Sequence, residues 1–178
     1  FLQQFHTFGK AARYFPEQVQ SIVDRLGIDP EDAKWFFQRF VSVGYYALVQ
    51  IEKVEPKVDL FTEGFEWANV DDLPPLIMDH QEMIYKAKAH LKNALHNQPV
   101  ALQLLPSSFT LPELQGLYEI ILDRTIDRRN FRKKILASKT LVQLDEQRKT
   151  PGHRAPNVYR FDEEAYCNSL GEKSKLGF

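Results

Sequence analysis

The segment DRRNFRKKILASK, which begins at Asp127, holds the residues of this chain best suited to recognition chemistry. On a helical wheel with Phe131 at zero, Ile135 and Ser138 fall within about 40° of it and face a core. Arg129 then lies at about 160°, Lys133 at about 200°, Ala137 at about 240° and Asn130 at about 260°. The outward face is therefore cationic, with one amide and one small side chain. Such a face suits the major groove of DNA: Arg and Lys pair with guanine edges, Asn pairs with adenine, and alanine allows close approach. Arg132 and Lys134 flank this face and suit phosphates. Arg128 borders the buried arc and is the weakest candidate for base contact, and Leu136 does not fit the pattern. Downstream, Arg148, Lys149, His153 and Arg154 lie in a stretch between two strand-like runs, with Arg160 after Tyr159. A basic hairpin tip of this kind reaches the minor groove or the backbone. Together these residues give a DNA-binding set of Arg128, Arg129, Asn130, Arg132, Lys133, Lys134, Arg148, Lys149, His153 and Arg154.

Other chemistries lack their parts. The sequence contains no G-x-x-x-x-G-K-S/T, G-x-G-x-x-G, G-x-S-x-G or H-E-x-x-H, so phosphate loops, dinucleotide folds, serine hydrolases and zinc proteases have no mechanical basis. His90 and His96 are six apart, about 240° around a helix, and cannot share a metal. His6 and His80 read as packed or surface residues, and Asp71-Asp72 as a turn before Leu73-Pro74. Cys167 has no evident activating base and cannot form an internal disulfide. No catalytic residue, metal ligand or cofactor is expected, and no effector-binding residue can be named.

Charge is divided along the chain. The 178 residues carry a net −1. Residues 1–123 carry 10 Lys+Arg against 17 Asp+Glu, a net of −7, whereas residues 124–160 carry 11 against 3, a net of +8. An acidic body followed by a dense basic block implies a polyanion footprint on one domain only. The 43% hydrophobic content supports a packed core. No apolar run reaches membrane-spanning length and no charged-then-apolar leader opens the chain, so a cytoplasmic location is expected.

The elements that position these residues follow from the pattern. FLQQFHTFG, from Phe1, reads as a strand rather than a chain start. VSVGYYALVQI, from Val41 to Ile51, is apolar on both faces, as expected of a central strand buried between two layers. Its available neighbours are Phe1 to Phe8 and Gly64 to Trp67. Residues 1–78 are therefore expected to be the rear of a larger domain whose front lies upstream. Between the strands, at about residues 11–40, Pro16 opens a helix that Gly27 closes, and Asp29-Pro30-Glu31-Asp32 opens a second. Val19, Ile22, Val23, Leu26, Trp35, Phe36 and Phe40 recur at helical spacing, consistent with local packing of this hairpin, a dimer surface or a lid.

From Asp79 the pattern D-x-x-E, with Glu82, predicts a capping box and a helix to about Asn97. Its narrow stripe of Ile84, Ala87, Leu91 and Leu95 suits a connector over residues 79–98. VALQLLP, from Val100, is short enough to be helical or extended. Thr110 to Glu113 is a second capping box, and Leu114, Leu117, Tyr118 and Ile121 continue its helix. A turn over Asp123 to Ile126, the basic helix, the strand LVQLD, a basic loop and the strand VYRF follow. This order is that of a winged helix-turn-helix, assigned to residues 99–166 with a tail over 167–178.

HTFG, VSVGYYALV, FEWANVDDLPPLIMDHQEMI, and above all LLPSSFTLPELQGLYEIILDRTIDRRNFRKKIL with a basic wing and NVYRF, resemble the Nudix-related transcriptional regulators. The resemblance implies an α+β protein: the rear of a Nudix-like sandwich with a helical insert, followed by a winged helix-turn-helix. It further implies a homodimer on a palindromic operator in double-stranded DNA, controlled by a small-molecule effector such as an ADP-ribose-like nucleotide or a sugar. The glutamate-rich box that holds magnesium in diphosphate hydrolysis has no counterpart in these residues, so metal-assisted hydrolysis is not assigned to the chain. The insert replaces what is a short loop in the family, which leaves the effector open. Two other readings stand beside the regulator: a hydrolase of nucleoside diphosphate derivatives with an appended regulatory domain, and an interaction module whose basic block meets an acidic protein.

Overall fold

A computed structural model describes residues 2–11, 13–58, 64–148 and 156–170. The chain divides into two compact units, Phe1–Lys88 and Ala89–Phe178.

In the first unit, β1 (Leu2–Phe8) pairs antiparallel with β2 (Ser42–Ala47). Gln4 lies opposite Tyr45 and His6 opposite Gly44, so Phe5 is the additional residue of a bulge. The bulge turns Phe5 toward Phe8 and Tyr46, with ring centroids 6.0 and 6.1 Å away. A Cβ at Gly44 would lie 2.6 Å from the Phe5 ring and 3.0 Å from that of Phe8; this close approach requires the glycine. Among the described residues β2 is covered on one face only. Val43 and Tyr45 on the opposite face are 47% and 51% exposed, and β2 ends at Ala47. Gly64 to Trp67 forms no strand. Apolar residues on both faces record what a strand is able to bury, whereas burial requires a covering layer, and the described residues cover one face.

The insert begins with α1 (Pro16–Leu26), with Pro16 at its start, Glu17 in its first turn and Gly27 beyond its end at φ 61°. Val19 and Val23 bury against Ala33, with Ile28, Phe36, Phe37 and Met78 packed around them. The second helix is shorter than expected. After the Asp29 cap, α2 covers only Pro30–Ala33 and gives way to a 3₁₀ turn at Lys34–Phe37. The tighter winding sends Phe36 and Phe37 inward and leaves Trp35 and Phe40 exposed, packed edge to face at 5.6 Å.

Helix α3 (His80–Ala94) follows. Asp79 and Glu82 do not act as the expected capping box. Arg13 takes the Asp79 carboxylate with Nε at 2.6 Å and Nη2 at 3.2 Å, while Glu82 pairs with Lys10 and Lys86. A guanidinium fork offers a carboxylate two charge-assisted bonds, more than a single amide offers. Arg13 Nη1 also donates to Phe40 O at 3.2 Å and Ser42 Oγ at 3.0 Å. One nearly buried side chain thus joins the end of the insert, the start of β2 and the entry to α3.

The second unit contains α4 (Val100–Leu104), β3 (Phe109–Thr110), α5 (Leu111–Leu122), α6 (Arg128–Ala137), β4 (Leu141–Gln147), β5 (Asn157–Phe161) and α7 (Glu163–Ser169). Its antiparallel sheet has the order β3-β5-β4. Leu95, Val100, Ala101, Phe109, Leu114, Tyr118, Phe131, Ile135 and Tyr166 form a closed core. Tyr118 meets Phe131 edge to face at 5.7 Å, and Tyr166 packs on Phe161 at 4.5 Å. Burial raises the pKa of both Tyr118 and Tyr166, as expected for phenols kept from water. Helix α7 carries Tyr166 into this core, and its Asp162 cap accepts from Ala165 N at 3.0 Å.

Candidate nucleic-acid interface

The basic helix α6 is fixed at three points. Asp127 caps it, its carboxylate accepting from Asn130 N at 2.7 Å. Phe131 and Ile135 anchor it in the core. The turn before it is tied to α5 by Glu119, whose Oε1 accepts from Ile126 N at 2.7 Å and Gln115 Nε2 at 3.0 Å. These bonds hold the Glu119 carboxyl below its ordinary pKa, Gln115 contributing most. Gln115 Nε2 also donates to Ile126 O at 2.9 Å, and Asp123 supplies the left-handed residue at φ 58°. Sequence patterning assigned neither Gln115 nor Glu119, because an i, i+4 polar pair on a helix carries no sign of the loop it will bind.

Opposite the two anchors, Arg129, Asn130, Lys133 and Ala137 are exposed, as are Arg128 and Arg132, while Lys134 is half-buried. The wheel derived from Phe131 therefore describes the helix as it is folded. Leu136 is exposed as well, and nothing in the structure explains it. The charge placement is unusual for a helix start. Helices α1, α3, α5 and α7 carry Glu in their first turns, whereas α6 carries Arg128 and Arg129 there and no acid. Cations at the positive end of a helix dipole cost about 0.3–1 kcal/mol each. An anion arriving at that end removes this cost.

Arg128 and Arg132 form no ion pair among the described residues. They line a concavity of about 390 Å³ with Leu111 and Pro112 at the start of α5 and Pro156, Asn157 and Tyr159 around β5. Of the expected wing residues, Arg148 turns back to the Glu113 carboxylate and donates to Ser108 O at 3.3 Å. Arg160 is exposed and donates to Phe161 O at 3.3 Å. Lys149, His153 and Arg154 lie outside the described residues. Among the described residues no group of His, Cys, Asp or Glu is arranged to hold a metal ion, and no helix is long and apolar enough to cross a membrane.

A helix-turn-helix with a two-stranded wing and a cationic second helix is the geometry on which the comparisons bear. Residues 101–161 match the family described as the NrtR DNA-binding winged helix domain. The chain is 31% identical over 128 residues, 71% of its length, to the ADPR responsive transcriptional repressor NtrR of Acinetobacter baylyi. It spans half the length of that relative. Its fold is similar to that of Shewanella oneidensis NrtR solved in complex with a 27mer DNA, with a TM-score of 0.59 and 24% identity, and to that of a second crystal structure of Shewanella oneidensis NrtR, at 0.58 and 24%. Each of these likenesses covers 93% of this chain and 66% of the other. Similarity to NrtR thus extends through both units as a likeness of fold. It agrees with the expected α+β architecture that ends in a winged helix-turn-helix.

Proposed function

We propose that this chain is the DNA-binding and effector-responsive part of a transcriptional regulator. Arg129, Asn130 and Lys133 enter the major groove, Arg132 and Lys134 meet phosphates, and the wing with Arg148, Lys149, His153 and Arg154 lies alongside. The observation that carries the reading is the outward face of α6, where exposed Arg, Asn and Lys side chains stand opposite a core-anchored Phe131 and Ile135. An anchored helix presents donors to base edges in fixed register, which is what direct readout requires. The printed name of the Acinetobacter relative, an ADPR responsive repressor, and the 27mer DNA in the Shewanella structure support the same reading. The N-terminal unit then responds to an ADP-ribose-like nucleotide or a sugar, and the protein works in the cytoplasm as a homodimer on a palindromic operator. No catalytic step is assigned to this chain.

The test is fluorescence anisotropy with duplex from the protein's own upstream region and with scrambled duplex, at two salt concentrations. Selective, salt-sensitive binding is expected. Asn130→Ala should relax discrimination at one base position by about 1–3 kcal/mol, whereas Lys134→Ala should weaken all duplexes alike. Equal losses on every duplex for both variants would remove the base-reading role. Indifference of the folded protein to both duplexes would remove the regulator reading itself.

A further inference from the structure

We propose that Arg128 and Arg132 form a clamp for a backbone phosphodiester, distinct from the face that reads bases; this inference rests on the DNA-binding reading above. The two residues are one helical turn apart, with their Cα atoms rising about 6 Å along α6. On the wheel they lie at about 60° and 100°, on the flank beside the buried arc rather than with Arg129, Lys133 and Asn130. That flank opens into the concavity walled by Leu111 and Pro112 on one side and by Pro156, Asn157 and Tyr159 on the other. Base edges lie in a groove floor, and side chains directed into a recess between α5 and β5 do not reach it. A phosphate protrudes from the duplex, and its oxyanion fits such a recess.

Three observations converge on an anion there. Both guanidiniums lack an acidic partner among the described residues. Arg128 stands at the positive end of α6 and Arg132 one turn further on, and beyond the Asp127 cap, already bonded to Asn130 N, that end carries no first-turn acid. The nearby Glu113, which could have neutralised them from α5, is engaged by Arg148 and by Thr110 N and Oγ1. Asn157 adds a neutral side-chain donor at the rim of the recess. Two forked cations, an available amide and a partly apolar wall form a site for a singly charged phosphodiester.

The experiment uses the full chain, operator duplex and scrambled duplex, and compares wild type with R128Q/R132Q and with N130A. Each lost phosphate contact should reduce the slope of log affinity against log salt by about 0.9. Because both arginines hold one phosphate, R128Q/R132Q should show a slope shallower by about 0.9 per subunit, so that each subunit loses about 3.5-fold less affinity than in wild type between roughly 50 and 200 mM salt. Its preference for operator over scrambled duplex should stay within about twofold of wild type, because phosphate contacts carry no sequence information. N130A should show the converse, with the slope kept and the preference reduced. A second measurement replaces single operator phosphates with neutral methylphosphonates. At the clamped position the substitution should weaken wild type and leave R128Q/R132Q unaffected.

An unchanged slope and affinity in R128Q/R132Q, with wild type still selective, would overturn the clamp and leave the regulator reading intact. Reduced preference with an unchanged slope would assign the two arginines to base reading and also overturn it. If the double variant unfolds, the methylphosphonate scan of wild type beside the single variants R128Q and R132Q decides: the same sensitive position in all three overturns the clamp. Wild type that binds every duplex equally removes base reading alone, and the slope comparison is then read on that duplex. Folded wild type that binds no duplex removes both proposals.

Discussion

At the scale of single residues, Arg13 and Asp79 carry the most consequential polar interaction of the N-terminal unit. Their side chains are 10% and 12% exposed, and the Arg13 hydrogen bond is the main cause of a lowered Asp79 pKa. A carboxyl depressed on folding adds stability above its unfolded pKa and loses it as pH falls through the lower folded value. Asp79→Asn is accordingly expected to cost about 2 kcal/mol at neutral pH. The gap from wild type should narrow below the ordinary value of 3.8. Urea unfolding at pH 7 and at about pH 3 checks this, and a gap independent of pH would show that the charge is not what matters. The sequence marked Asp79 only as half of a capping motif. Its partner lies 66 residues upstream, and no local pattern encodes a pairing over that separation.

At the scale of elements, local signals were most reliable where they are satisfied locally. Thr110 and Glu113 form the full reciprocal capping box expected of them, with Thr110 N donating to Glu113 Oε2 at 2.7 Å and Glu113 N to Thr110 Oγ1 at 3.4 Å. Thr110→Ala should cost about 1 kcal/mol, measured as a lowered thermal midpoint, and Thr110→Ser should recover most of it. If alanine is neutral, α5 is held by packing alone. The Asp79 and Glu82 motif has the same spacing and a different outcome, because basic side chains from elsewhere in the unit take both carboxylates. Helix α7 was legible in principle, since Asp162 followed by Glu163 and Glu164 is a helix-start signal. Its short length and position after the last strand hid it, and only Tyr166, fully buried, shows why it folds there.

At the scale of the whole molecule, the division of charge is the property with functional reach. A net −7 over residues 1–123 and +8 over residues 124–160 confine the attraction for a polyanion to the C-terminal part. If each subunit neutralises about four to six phosphates, log affinity for duplex should fall against log salt with a slope near −4 to −5 per subunit. Anisotropy titrations over a range of salt measure it directly. A slope near zero would place the basic block against something other than nucleic acid.

The sequence by itself determined what depends on neighbours in the chain: the order of helix, turn, helix and wing, the Phe131 and Ile135 anchor of α6, and the cationic face opposite it. Helical periodicity and capping operate over a few residues, so a linear reading reaches them. Tertiary structure alone decided which charges remain available. Arg148 is drawn to Glu113 and Ser108, Arg13 to Asp79, and Glu119 to the backbone of Ile126, while Arg128 and Arg132 are left facing a recess built from α5 and β5. The physical reason is that an ion pair or a recess depends on distance in space. Residues far apart in the chain meet only once the core has closed.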